Sequence, residues 1–162
     1  MSFHWSDAAR RMVITTAVAG VALSAVAASA ASSDLPTKEI NGLTGPAKPV
    51  GMAIEELGAI TLGKEFPQIA AVADRLMRGR HVTVKAGGIV PIHSHKDRPA
   101  VTYILDGEII EHRSDVEGAL VRKAGDCTLD VSGISQWWEN KSDRDVHMFT
   151  VDLYDPSIPT DY

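Results

Sequence analysis

The stretch PIHSHKDRPAVTYILDGEI, residues 91–109, contains the strongest fold and site signals in the chain. Residues two apart on a β-strand point to the same face, so His93 and His95 are expected to project together. The following segment, AVTYILD, is rich in β-branched and aromatic residues, and Asp106-Gly107 is a strong signal for a β-hairpin. The stretch therefore predicts strands, a hairpin and a pair of imidazoles on one face.

Short strand-like segments separated by turn residues continue on both sides. They are HVTVKAGGIVP (81–91), EIIEHR (108–113), GALVRKAGDCTLDVSG (118–133), SQWWEN (135–140) and DVHMFTVDLYD (145–155). Turn signals at intervals of about eight to twelve residues, without a long amphipathic helix, predict an all-β sandwich or barrel. The intervening segment EFPQIAAVADRL (65–76) is expected to form a turn or a short helical piece.

The first thirty residues have the features of an export signal. Arg10 and Arg11 precede an uncharged run rich in Ala and Val, which ends in Ala28-Ser29-Ala30, a small-x-small cleavage signal. We expect residues 1–30 to be removed during twin-arginine or Sec export to the periplasm; the alternative is an uncleaved membrane anchor. Residues 31–50 are expected to be a leader or linker with at most one edge strand, and residues 51–162 the folded domain.

Composition narrows the classes of partner. The length of 162 residues suits one domain. The formal net charge of −5 argues against nucleic acid as a partner. Membrane contact is therefore expected only through the signal segment. The lone cysteine, Cys127, has no partner for an internal disulfide and is expected to be a small buried apolar residue.

The sequence resembles the cupins, a superfamily of small jelly-roll β-barrels, in two motifs. The first motif of that family falls on Gly87, His93, His95, position 100 and Gly107, and the second on Gly125, position 131, Gly133, position 136 and Asn140. The resemblance extends over residues 52–155 and implies a single jelly-roll barrel after the signal segment. It also implies a small-molecule ligand and a homodimer, since dimers are common in the family.

The departures from these motifs concern the metal site. The family has a glutamate where this chain has Ala100, a third histidine where it has Gln136, and a proline where it has Val131. The resemblance therefore implies a reduced metal set of His93, His95 and Gln136. Imidazole suits Fe, Mn, Ni, Cu and Zn, so the identity of the divalent ion stays open, and the alternative is that the metal has been lost.

One further histidine depends on strand register. His147 would approach the site if His147, Phe149 and Val151 face inward, and would not if Val146 and Met148 do. An outward position is the expected one.

The remaining site predictions come from strand faces. Trp138 shares the face of Gln136, and Thr102 and Ile104 share the face of Ala100, so these residues are expected to line the pocket. Arg98 is placed to meet a substrate carboxylate at the barrel mouth, or to pair with Asp97 and fix the turn. Two functions are expected: a metal-dependent oxygenase, isomerase or lyase, or a non-catalytic ligand-binding or sensor barrel.

Overall fold

The structure, a computed structural model, describes residues 34–158, so the predicted export segment lies outside the described residues. Ten strands make up most of this part of the chain: β1 (Thr37–Ile40), β2 (Leu43–Pro46), β3 (Val50–Thr61), β4 (Leu76–Ser94), β5 (Ala100–Asp106), β6 (Glu108–Arg113), β7 (Ala119–Lys123), β8 (Cys127–Asp130), β9 (Ser135–Glu139) and β10 (Val146–Tyr154). The short helix α1 (Leu62–Glu65) and a 3-10 turn at Ala70–Val72 join β3 to β4. Within the described range, no helix is both long and apolar enough to cross a membrane.

Strands β3 to β10 form one antiparallel sheet that curls around the core. The order is β7-β6-β9-β4-β10-β5-β8, with β3 also paired to β4. This arrangement confirms the all-β jelly-roll prediction. Strands β1 and β2 form a separate hairpin around Asn41-Gly42, both with positive φ, in the segment expected to be a linker.

The long strand β4 belongs to both ends of the sheet. Its first half pairs with β3 and β10, and its last residues pair with β9. The change of partner occurs around Gly87 and Gly88. Gly87 has φ of +71°, and a Cβ on Gly88 would lie 2.7 Å from the Lys85 carbonyl oxygen, so both positions favour glycine. The bend brings the end of β4, with His93, beside Gln136 of β9.

The hairpin expected at Asp106-Gly107 is not formed. Strand β5 pairs with β10 and β8, whereas β6 pairs with β7 and β9, so Gly107 is a corner where the chain leaves one part of the sheet for another. Gly107 has φ of +88°, and a Cβ there would lie 2.9 Å from a Val146 methyl group. The Asp-Gly signal located the turn correctly, but the strand that follows it pairs with β7 and β9 in place of β5.

The interior of the barrel divides into an apolar and a polar region. The apolar cluster consists of Val82, Val84, Val90, Ile104, Ile109, Trp138, Val146 and Met148. Beyond it, the inward positions of the same strands carry buried charged and hydroxyl side chains, including Arg80, Thr102, Arg113, Asp130, Thr150 and Asp152. Cys127 is exposed on the outer face of β8, contrary to expectation, because Thr128 and Asp130 occupy the inward positions of that strand.

Candidate ligand pocket

A pocket lies where the apolar and polar regions meet. Its lining residues are Met52, Ile54, Arg80, Val82, Val90, His93, His95, Thr102, Asp130, Gln136, Trp138, Met148 and Thr150, and its volume is about 40 Å³. A buried water needs about 10–15 Å³, so the cavity holds a few waters or a small polar group. One wall is hydrocarbon and the indole of Trp138, and the other is polar.

His93 and His95 meet inside this pocket, as the spacing on one strand face predicts. Both rings are buried, and their Nε2 atoms are 3.1 Å apart. The Nδ1 of His93 lies 2.8 Å from the Pro91 carbonyl oxygen, and the Nδ1 of His95 lies 2.9 Å from that of Arg98. A carbonyl oxygen only accepts, so each Nδ1 must donate its hydrogen. In the neutral rings, both Nε2 lone pairs then point toward one region of the pocket.

This geometry fits a cation shared by the two rings. With metal–nitrogen distances of about 2.0–2.1 Å, a separation of 3.1 Å corresponds to an angle at the ion of about 95–100°, between the octahedral and tetrahedral values. Gln136 lies beside the pair, with Nε2 3.1 Å from His95 Nε2 and a buried Oε1 that has no hydrogen-bond partner. Because amide oxygen and nitrogen exchange places when the group flips, Oε1 is available as a third ligand.

The set is nevertheless small. Within residues 34–158, no cluster of three His, Cys, Asp or Glu side chains has the arrangement of a metal site. Ala100, at the position of the family glutamate, is buried and offers no ligand atom. The residues present therefore fit a divalent ion only if Gln136 and a bound ligand or water complete its coordination.

Electrostatics keep both imidazoles neutral. Burial is the largest cause that lowers the pKa of His93 well below its usual value, and the charges of His95, Arg98 and Arg80 lower it further. Burial likewise lowers the pKa of His95 to about 4, with contributions from Arg98 and Arg80. Neutral imidazole is the form that binds metal. The same arginines therefore disfavour a proton on either ring.

Asp130 is a pocket residue that the sequence analysis missed. Its side chain is about 1% exposed, with Oδ2 3.8 Å from His95 Nε2. Thr102 Oγ1 donates to the same oxygen at 3.4 Å, and Arg113 Nη1 donates to Oδ1 at 3.3 Å. Burial raises the pKa of this carboxyl, which makes it a candidate to carry a proton. Alternation with Thr128 on a short strand was the sequence signal that could have located it.

Arg80 is the second pocket residue that was missed. It lies two positions before Val82 and four before Val84 on the same strand. Val82 and Val84 are buried on the inner face, and extending the alternation of HVTVK by one step places Arg80 inward, even though arginine is seldom buried without a partner. Its Nη2 lies 3.0 Å from Asp152 Oδ2.

The other predicted site residues take the following places. Trp138 and Thr102 line the pocket, while Ala100 and Ile104 are buried on the same inner face without lining it. Arg98 is buried and does not line the pocket, and its Nη1 lies 3.9 Å from Asp152 Oδ2.

His147 lies on the outer face and contributes no ligand to this pocket. Val146, Met148 and Thr150 take the inward positions of β10. The ring of His147 stacks on His81 at 5.2 Å, and its Nδ1 lies 3.3 Å from Thr83 Oγ1.

These features define a class: an all-β jelly-roll with a small polar pocket inside the curled sheet. A scan against protein-family models finds no match, and a search of curated proteins finds none.

Solved structures do match. A predicted oxalate decarboxylase from Thermotoga maritima aligns with a TM-score of 0.52 and 22% identity, over 75% of this chain and 95% of that chain. KdgF from Halomonas sp. aligns with a TM-score of 0.50 and 9% identity, over 66% of this chain and 83% of that chain. A sugar phosphate isomerase from a cupin superfamily, from Silicibacter pomeroyi, aligns with a TM-score of 0.45 and 16% identity, over 54% of this chain and 64% of that chain. The protein has the cupin fold, as its two motifs predict.

Proposed function

We propose that the protein binds a small molecule in the cupin pocket together with a divalent metal ion held by His93, His95 and Gln136. The observation that carries this proposal is the pair of Nε2 atoms 3.1 Å apart, each on a ring whose Nδ1 donates to a backbone carbonyl. Two lone pairs at this distance repel each other unless positive charge lies between them. The lowered pKa values of both rings disfavour a proton in that role, which favours a metal ion.

The chemistry would depend on both the metal and the chain. A bound ion would supply Lewis acidity. Asp130 would accept or donate a proton, because its carboxyl is buried and its pKa is raised. Arg113 would hold that carboxyl in position through Oδ1, leaving Oδ2 toward His95. The indole of Trp138 would exclude water from one side. A positioned proton carrier favours isomerase or lyase chemistry among the reactions expected for this fold.

A second candidate is a binding barrel that uses no metal. Gln136 Nε2 lies 3.1 Å from His95 Nε2, where the amide would donate a hydrogen bond to the ring. In that state, the Nε2 of His95 accepts a hydrogen bond from the Gln136 amide, and the pocket binds a polar ligand without metal. The loss of the family glutamate at Ala100 is consistent with this role.

The test is the metal content of the protein, residues 31–162, exported natively and purified without a histidine tag. Plasma mass spectrometry should find near-stoichiometric metal, and a His93→Ala, His95→Ala double variant should lose it. A Gln136→His variant should bind metal more tightly, because imidazole replaces a neutral amide. No retained metal after incubation with Fe, Mn, Ni, Cu and Zn salts at neutral pH would refute the metal proposal and leave the binding barrel.

Export and assembly are part of the same proposal. We infer that residues 1–30 direct the chain to the periplasm and that the mature protein is a homodimer. The outer face of β5 and β8 exposes Val101, Tyr103, Leu105 and Leu129, an apolar set that would favour self-association. Fractionation of cells would test the first statement. Light scattering of the wild type and a Leu129→Asp variant would test the second, with a monomeric wild type as the contrary result.

A further inference from the structure

One row of side chains across the pocket is unused by the proposed metal set. In the strand registers, Arg80 lies opposite Thr150, Thr150 opposite Thr102, and Thr102 opposite Thr128. All four residues are buried. The row therefore places one guanidinium and three hydroxyl groups side by side over four adjacent strands, β4, β10, β5 and β8.

Two polar atoms of this row have no hydrogen-bond partner. They are the Nε of Arg80 and the Oγ1 of Thr128. Arg80 is 7% exposed and lines the pocket together with Thr102 and Thr150, whose hydroxyl oxygens are 3.1 Å apart. A buried N–H without an acceptor is costly, and a charged one more so. The Arg80 Nε–H therefore marks a place where an acceptor is missing.

The carboxylate that pairs with Arg80 is also shared with other arginines. Asp152 Oδ2 lies 2.8 Å from Arg78 Nη2, 3.0 Å from Arg80 Nη2 and 3.9 Å from Arg98 Nη1, so three guanidinium groups surround one carboxylate. Glu56, whose side chain is about half exposed, also lies 4.0 Å from Arg78.

Asp130, which lines the pocket, has an arginine partner of its own. It is paired with Arg113, 3.3 Å away. Arg80 therefore has only a share of Asp152, and its Nε–H is a donor that a bound anion would satisfy.

We propose that Arg80, with the hydroxyl group of Thr150, forms a subsite for a small carboxylate, bound in the pocket at the Arg80 Nε–H. A carboxylate matches the flat guanidinium, accepts from the Nε–H and from a hydroxyl group, and fits a volume of about 40 Å³. With a metal present, it would also supply the anionic ligand that Ala100 does not. The inference rests on the proposed small-molecule pocket but does not require its metal.

The experiment is a titration of EDTA-treated protein with acetate, with acetamide as the neutral isostere. The Arg80 Nε–H resonance in a proton–nitrogen correlation spectrum reports binding. Acetate should shift this resonance saturably, and acetamide should not. Equal responses to both, or no response to acetate, would overturn the inference. Tighter binding of inorganic phosphate than of acetate would also overturn it, because the subsite would then select phosphate.

Two substitutions of arginine provide the matched comparison. Arg80→Lys keeps a positive charge near Asp152 but removes the Nε donor, and should weaken acetate binding about tenfold or more, judged by the indole fluorescence of the pocket. Arg78→Lys changes the other close partner of Asp152, which does not line the pocket, and should leave acetate affinity within about twofold. Equal losses in both variants would mean that Arg80 acts only through the fold, and would refute the subsite.

The two proposals can fail separately. Metal content is measured on the natively exported protein, and acetate binding on the EDTA-treated protein. Acetate binding without metal retention would support the subsite and refute the metal. Metal retention without acetate binding would support the metal and refute the subsite.

Discussion

The buried histidines should make the metal-free protein sensitive to acid well above the pH at which carboxylates titrate. His95 has a pKa of about 4 in the folded protein, against about 6.5 for an exposed imidazole. Between these values the unfolded chain binds more protons than the folded one, so stability falls as the pH decreases. For His95 alone, the loss between pH 7.5 and pH 5 is about 2 kcal/mol.

Urea unfolding of the EDTA-treated protein at several pH values between 7.5 and 5 would measure this loss. His93 adds to it, because its pKa is lowered in the same direction. A His95→Gln variant should lose about half of the pH dependence. A His81→Gln variant, which changes a histidine on the outer face, should keep the dependence of the wild type.

Two results would refute this reasoning. The first is a wild-type protein whose unfolding free energy is constant from pH 7.5 to pH 5. The second is a His95→Gln variant as acid-sensitive as the wild type, which would assign the titration to other groups. Asp130 does not mimic the effect, because burial raises the pKa of its carboxyl and its protonation opposes the loss.

Three further substitutions test the packing around the pocket. Trp138→Ala should destabilise the protein by about 3–5 kcal/mol in urea unfolding, because the indole is buried in the core cluster; a loss below about 1 kcal/mol would contradict that position. Arg113→Met should lower the free energy of unfolding by about 3–5 kcal/mol at pH 7, since it leaves the buried Glu111 and Asp130 without their shared partner. Part of this stability should be recovered near pH 5, where a buried carboxyl can take up a proton. An unchanged stability would contradict the pairing. Gly45→Ala should destabilise the protein by about 1–3 kcal/mol in thermal unfolding, because the new Cβ would lie 2.5 Å from Trp137 Cδ1. Gly58→Ala, where the new Cβ meets open space, is the control in the same assay. Equal effects of the two substitutions would contradict the close packing of β2 on β9.

The strands and the central histidine pair could be predicted from the sequence because both depend on local periodicity. The alternation in HVTVK and AVTYILD fixes inward and outward faces, and His93 and His95 follow from the same rule. Strand partners could not be predicted in this way. Asp106-Gly107 is a turn in either topology, and the pairing of β5 with β10 and β8 joins segments that are distant in sequence.

The missed residues share a different cause. Arg80 and Asp130 occupy inward positions that an apolar pattern does not mark, and each is compensated by an ion pair with a residue distant in sequence. Such compensation is a tertiary property. The β1–β2 hairpin was missed for a compositional reason, since Ser, Pro and Gly around Asn41-Gly42 resemble a linker although Asn-Gly is itself a hairpin signal.

The double membership of β4 has a consequence for the time at which the molecule folds. Its first half needs β10, which follows it in sequence only after β5 to β9. During translation, the edge of β4 that β10 will cover therefore stays open until all of these strands and β10 itself have left the ribosome. The barrel cannot close strand by strand as the chain emerges, because β10 completes the structure that β4 begins.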